Sequence, residues 1–314
     1  MQFPCLGGLV AMLVTWAISH NPCFTWNLVL IRSRQSWCRT NRDATFKDTP
    51  SILDQSEETM DYVRWAERYD IFYEAAPEGE LEFYLNAIDR CEGSVLELGV
   101  GTGRIAIPAA AMGHDVMGVD VHRPMLDRAR LKSTAAPLPG KLQLIEGDMS
   151  KIDLPHKDFD LVIIPAHTLA LLTNEHDQSE TLMRCAEHMA PNATLIFNLF
   201  NPSDDLIHGD PDEMFLLGVV EDDESDVRHV LTGTNDFDTT RQVNRCTQVI
   251  ETLNAEGESI DREELQVVFR YLHHHQVKDM LEKAGLRAIE VFGDFDGSPL
   301  TDDSEEMIYI CRFK

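Results

Sequence analysis

Three glycines at alternate positions, Gly99, Gly101 and Gly103, follow a short apolar run, Ser94-Val95-Leu96-Glu97-Leu98, and precede a helix-forming stretch, Ile105 to Met112. Glycine lets the backbone turn sharply and approach another molecule closely. The helix that follows offers free N–H groups and the positive end of its dipole, which suits a carboxylate or a phosphate. Two acidic positions extend this chemistry. Asp120 ends the second apolar run, Asp115 to Val119. A carboxylate there can accept both hydroxyls of a ribose. Gly147-Asp148-Met149 follows a third run, Lys141 to Ile145. An acidic acceptor beside an apolar side chain suits an adenine, with its exocyclic amine and flat faces.

The elements that must position these residues can be read from periodicity. Helices are expected over Gly79–Arg90, Ile105–Met112, Pro124–Leu131 and Ser179–Met189, with strands over Ser94–Leu98, Asp115–Val119, Lys141–Ile145, Phe159–Ile164 and Ala193–Phe200. Strands alternating with helices imply a doubly wound α/β fold, a parallel sheet with helices on both faces. The rhythm then changes. Residues 213–220, 227–234, 241–253 and 260–270 read as longer strands without intervening helices, hence an antiparallel insertion within about 205–270. Helical spacing returns over Gln276–Ala284 and stops at Gly285. Ala288–Phe292 and Met307–Phe313 close the chain as two strands.

The run Val95-Leu96-Glu97-Leu98-Gly99-Val100-Gly101-Thr102-Gly103-Arg104 resembles the first motif of the class I S-adenosylmethionine-dependent methyltransferases. Asp120 matches that family's ribose-binding acid, Asp148 and Met149 the positions near adenine, and Ile164-Pro165-Ala166 the segment whose backbone holds the methionine part. The resemblance covers residues 62–314 and is strongest over 93–165. It implies a mostly parallel seven-stranded sheet with an antiparallel last strand. It also implies S-adenosyl-L-methionine as cofactor, held by Glu97, Gly99, Gly101, Gly103, Asp120, Asp148, Met149 and Pro165. A dinucleotide-dependent oxidoreductase, nicotinamide or flavin, is the competing reading, but its fingerprint G-x-G-x-x-G fails here, because Arg104 stands at the third-glycine position. A non-catalytic cofactor-binding module of the same fold is the other alternative.

Methyl transfer by in-line displacement needs alignment first and a base only for some nucleophiles. The candidates for such a role are Tyr69, Tyr73 and His167. His273-His274-His275 invites a metal reading, but consecutive side chains point in different directions, so no metal site is expected. The acidic loop from Asp294 to Glu305 has Pro299 where a calcium loop needs glycine. Asn198-Leu199-Phe200-Asn201-Pro202 is not the motif of methyltransferases that act on exocyclic amines of bases, and the position after strand four reads Ile164-Pro165-Ala166-His167 instead.

The formal net charge is −27. Residues 1–59 carry five basic and five acidic side chains, so the excess lies beyond them. A body this acidic repels phosphate backbones, which excludes nucleic acid and favours a small-molecule methyl acceptor. The seven cysteines are scattered and form no C-x-x-C pair, as expected of reduced thiols in a cytoplasmic protein. The apolar stretch Phe3 to Ile18 is shorter than a spanning helix needs and follows no basic residue, so a tail outside the fold is the expected reading, with a signal peptide or a membrane anchor as the alternatives. Residues 1–59 are expected to be an extension outside the fold, with a polar linker at 40–59, and 60–314 to be the catalytic domain.

Overall fold

The computed structural model describes residues 66, 68–71, 77, 79–222 and 226–314. The expectations for residues 1–59, and the candidate Tyr73, lie outside the described residues.

The chain builds two sheets. The first has seven strands in the order β10-β11-β5-β4-β1-β2-β3. These are β1 (Val95–Leu98), β2 (Val116–Asp120), β3 (Leu142–Glu146), β4 (Phe159–Ile164), β5 (Met189–Phe200), β10 (Leu286–Phe292) and β11 (Glu306–Phe313). The first five are mutually parallel, and β11 runs antiparallel to both of its neighbours. The second sheet is a four-stranded antiparallel meander, β6 (Phe215–Asp222), β7 (Val227–Asp238), β8 (Val243–Leu253) and β9 (Ser259–Arg270). It is inserted between β5 and the last long helix. The first sheet thus has the seven strands and antiparallel last strand that the resemblance implies, and the second has the antiparallel pairing expected of the insertion.

Strand β1 is buried along its whole length, as a central parallel strand must be when helices cover both faces. One layer of core packs Leu96, Leu98, Val162 and Ile164 against the side that carries Leu182 and Met280. The other packs Val95, Ile163 and Ile196 against Tyr84, Ile88 and Ala109. The covering helices are α1 (Glu80–Asp89), α2 (Ala106–Ala111), α3 (Arg123–Ser133), α4 (Glu175–His188), the single turn α5 (Asp204–Ile207) and α6 (His274–Lys283).

Their ends follow local chemistry. Asn174 caps α4 by accepting the Asp177 N–H at 2.9 Å. His273 and Gln276 form a capping box at the start of α6, and Gly285 ends it with φ of 75°. Because of that box, α6 starts two residues before the expected Gln276. The 3₁₀ turn Thr168–Leu171 and the short α5 have no counterpart in the sequence reading, since each is too short to show periodicity.

Candidate active site

The carboxyl ends of β1, β2, β4 and β5 lie along one edge of the large sheet. Strand order reverses between β1 and β4, and such a reversal opens a crevice at that edge. The glycine loop leaves β1 here. Gly99, Gly101 and Gly103 have φ of 72°, 54° and 83°, so all three use the left-handed backbone that favours glycine. A Cβ on Gly99 would also collide with the Thr168 side chain. The loop is therefore fixed twice, by backbone sign and by close approach of the segment that follows β4.

Asp120 ends β2 at the same edge. Its Oδ2 accepts the Gly101 N–H at 2.9 Å and its Oδ1 the His122 N–H at 2.8 Å. The carboxylate is thereby locked in orientation beside the loop. Glu97, on β1 two residues before Gly99, is buried, and its Oε2 has no hydrogen-bond partner among the described residues. Burial pushes its pKa up to about 8. Arg104 opposes this, while Asp120 and Glu80 reinforce it.

The segment after β4 is unusual. Ala166 and His167 are consecutive non-glycine residues at φ of 55° and 56°. Such conformations cost about 1–3 kcal/mol each and persist only where the surroundings hold them. Two buried carboxylates do the holding. Glu80, from α1, accepts the Ala166 N–H at 3.0 Å and pairs with Arg104. Glu306, at the start of β11, bonds His167 Nε2 at 2.9 Å. Glu306 also accepts from Asn198 Nδ2 at 3.0 Å, and Asn198 Oδ1 accepts from the Tyr84 hydroxyl at 2.8 Å. Burial alone would weaken the His167 imidazole as a base; the Glu306 carboxylate more than reverses this and raises its pKa above the ordinary value.

A cavity of about 240 Å³ opens at this edge. Gly99, Gly101, Asp120, His122 and Met125 line one side; Phe200, Gln248, Val267 and Phe269 line the other; Tyr69 and His167 stand between them. Of the sequence candidates, Gly99, Gly101, Asp120, Tyr69 and His167 thus converge. Gly103, at the end of the loop, and Glu97, on β1 before it, do not line the cavity. Pro165 supports it through its carbonyl, which accepts from Thr168 Oγ1 at 2.6 Å. Asp148 and Met149 are not in the lining. Asp148 turns instead to Ser150 and Lys151, with Lys151 Nζ at 2.6 Å. Partial burial works against its ionisation, but these hydrogen bonds prevail and hold its pKa below the ordinary value.

Residues that the sequence reading did not single out complete the site. Asp70 accepts from Thr102 Oγ1, Lys132 Nζ and Arg128 Nε at 2.8, 2.7 and 3.1 Å, so it ties the helical residues 68–71 to the glycine loop. Arg68 reaches the other way, to Asp261 and Glu263 on β9. His273 and His275 line a separate cavity with His208, while His274 Nδ1 meets the Tyr309 hydroxyl at 2.9 Å. Only His274 therefore points away, while the rings of His273 and His275 stack 5.8 Å apart, unlike the expectation that all three point in different directions; among the described residues no cluster of three or more His, Cys, Asp or Glu could hold a metal. The acidic loop between β10 and β11 is closed by its own turns, such as Ser298 N–H to Asp296 Oδ1 at 2.7 Å.

Comparison with known proteins agrees with this geometry. Residues 95–192, from β1 into β5, match the methyltransferase domain family. Over that segment, and in its fold, the chain is similar to the class I S-adenosylmethionine-dependent methyltransferases. YqeM of Bacillus subtilis, a protein designated a methyltransferase, is 25% identical over 80% of this chain and 96% of its own. The CcbJ methyltransferase from Streptomyces caelestis shares the fold with a TM-score of 0.67, at 24% identity over 79% of this chain and 96% of that one. CalS10 from Micromonospora echinaspora, an amino pentose methyltransferase solved with S-adenosylmethionine bound, shares it with a TM-score of 0.60, at 18% identity over 77% and 95%. These likenesses support S-adenosylmethionine as the cofactor and give the oxidoreductase reading no support. Among the described residues, no helix is long and apolar enough to cross a membrane.

Proposed function

We propose that this methyltransferase acts on a small-molecule acceptor that enters between the glycine loop and the β6–β9 sheet. One observation carries the reading. The cavity has glycine-loop backbone and Asp120 on one wall and Gln248, Val267 and Phe269, from the inserted sheet, on the other. In this reading residues 60–314 form the catalytic domain and 205–270 supply the acceptor side.

The residues present fit the cofactor. Asp120 is oriented by two N–H groups, and each oxygen keeps lone-pair capacity for a ribose hydroxyl. Gly99, Gly101 and Gly103 let the cofactor approach the backbone, and the chain around Pro165 holds its methionine end. The orphaned Glu97 Oε2 below the loop is suited to a polar group of that end. Asp148 and Met149 would receive the adenine, with Asp148 sharing its oxygens between the base and Ser150 and Lys151.

The bound cofactor supplies a methyl carbon that is already electrophilic. The chain's own work is alignment and exclusion of water. Leu171, Phe200, Val267 and Phe269 give the acceptor side an apolar wall, and positioning alone is worth up to about 7–11 kcal/mol. His167 lines this cavity, and its Nε2 bond to Glu306 fixes the ring there. Tyr69 is placed to close over the acceptor. The shared fold with an amino pentose methyltransferase accords with a small acceptor. So does the charge of −27, which disfavours nucleic acid. The free thiols Cys91, Cys185, Cys246 and Cys311 suit a reducing, cytoplasmic compartment.

The test is transfer from methyl-labelled S-adenosylmethionine to a metabolite pool mixed with cellular protein and RNA. Label should pass a filter that retains macromolecules. Label confined to protein or RNA would refute a small acceptor.

A further inference from the structure

His167 lines the cavity and keeps 34% of its side chain exposed, whereas the Glu306 side chain bonded to it keeps 9%. The imidazole is therefore the member of the pair open to a ligand. Both Glu306 oxygens lie 2.9 Å from Nε2. A carboxylate only accepts, so Nε2 is the nitrogen that carries the proton of the neutral ring. Nδ1 then keeps its lone pair, and no group among the described residues bonds to it. Glu306 is held in turn by Asn198 Nδ2 at 3.0 Å, and Asn198 by the Tyr84 hydroxyl at 2.8 Å. Burial pushes the ionisation of Tyr84 well above its ordinary range, so that hydroxyl stays a donor. The Phe200 ring meets the imidazole edge to face at 6.2 Å. A strained backbone, a buried carboxylate and an aromatic ring thus fix one orientation of His167.

Resting on the methyltransferase reading above, we infer that His167 is the general base of the reaction, its Nδ1 taking the proton of an acceptor hydroxyl while Glu306 positions the ring. The acceptor oxygen bonds to the methyl carbon as the carbon–sulfur bond breaks, and that bond's electron pair stays on sulfur. The hydroxyl proton passes to Nδ1, and the O–H pair remains on oxygen. The resulting imidazolium lies against the Glu306 carboxylate and later returns its proton to water. A hydroxyl is the nucleophile that needs such a group, because it holds its proton at neutral pH and must lose it during the reaction. A neutral amine attacks through a free lone pair, and a carboxylate has no proton to lose. The titratable and charged groups around the ring are Glu306 of β11, Glu80 of α1 with its partner Arg104, and Tyr69, Asp120 and His122 in the same cavity lining. The two glutamates outweigh burial and make the neutral ring a stronger base than ordinary histidine.

The experiment uses the full chain. Imidazole ¹⁵N NMR, with His167→Asn to assign the signal, should show the neutral ring protonated on Nε2 and titrating above ordinary histidine. Asparagine tolerates the left-handed backbone at this position. Glu306→Gln should lower that pKa; a neutral ring protonated on Nδ1 would overturn the assignment. In transfer from methyl-labelled S-adenosylmethionine to a metabolite pool, His167→Asn should slow labelling about 10²- to 10⁴-fold with S-adenosylhomocysteine affinity unchanged. An undiminished rate would overturn the base. The parent rate should rise with pH to a plateau as His167 loses its proton. Glu306→Gln should slow labelling and move that rise to lower pH, while Glu306→Asp, which keeps the charge, should leave it near the parent's. A slower Glu306→Gln variant with an unmoved rise would reduce Glu306 to a structural role. The labelled product should survive mild alkali and release methyl iodide in hot hydriodic acid, as a methyl ether does; label retained on nitrogen would overturn the hydroxyl class. Failure to bind S-adenosylhomocysteine, or label in no small molecule, would instead sink the reading beneath, on which the NMR result does not depend.

Discussion

Asp120 accepts the backbone N–H groups of Gly101 and His122, which fix its carboxylate beside the cavity, and the His122 imidazole lies 3.4 Å from its Oδ1. Asp120→Ala should therefore weaken S-adenosylhomocysteine binding about 10- to 100-fold, the loss of charge-assisted bonds to the ribose. Calorimetric affinity that stays unchanged would contradict the assignment. Glu97 makes a different prediction. Its folded pKa of about 8 lies above the ordinary carboxyl value, so the folded state binds more protons than the unfolded state between those limits. Stability should fall as pH rises from about 4.5 to about 8. Glu97→Gln should flatten that slope in chemical denaturation, and a slope identical to that of the parent protein would refute the buried-acid account. The glycines and Asp120 were legible in sequence because backbone sign and strand ends are local properties. The Glu306–His167 pair joins positions 139 residues apart, and the Tyr84–Asn198 bond spans 114. No local pattern marks such partners. Asp148 and Met149 sit where the motif places them along the chain, yet outside the cavity lining, because Ser150 and Lys151 compete for the carboxylate.

At the scale of elements, the helical residues 68–71 link two parts of the site. Arg68 reaches β9, Tyr69 lines the cavity, and Asp70 binds the glycine-loop Thr102 and two basic side chains of α3. Partly exposed ion pairs are individually weak, about 0.2–1 kcal/mol, and salt screens them. Asp70→Asn should accordingly speed S-adenosylhomocysteine release about 2- to 10-fold in stopped-flow displacement, with less salt dependence than the parent. A release rate equal to the parent's would mean that the segment does not cover the cofactor. Tyr62, Trp65, Tyr69, Phe72 and Tyr73 recur at roughly helical spacing, so a helix over 61–75 is expected from the sequence, whereas the contacts of residues 68–71 are not. The inserted sheet was legible from the length of its strands and their polar turns. The turn Thr168–Leu171 was not legible, because Ala166 and His167 adopt left-handed backbone that neither residue type advertises and that only Glu80 and Glu306 sustain.

The whole molecule joins a parallel sheet that can hold a nucleoside at its switch point to an antiparallel sheet that walls the opposite side of the same cavity. Alternation of strand and helix specified the first sheet, and the run of strands without helices specified the second. Their meeting at one edge follows from tertiary packing, notably Phe200 against Phe269, and no periodicity encodes it. The central claim is that this edge holds S-adenosylmethionine. Calorimetric titration of the full chain with S-adenosylhomocysteine and, separately, with NAD tests it most directly. The account predicts saturable one-to-one binding of S-adenosylhomocysteine, weakened on Asp120→Ala, and no binding of NAD. Binding of NAD with no heat from S-adenosylhomocysteine would contradict it.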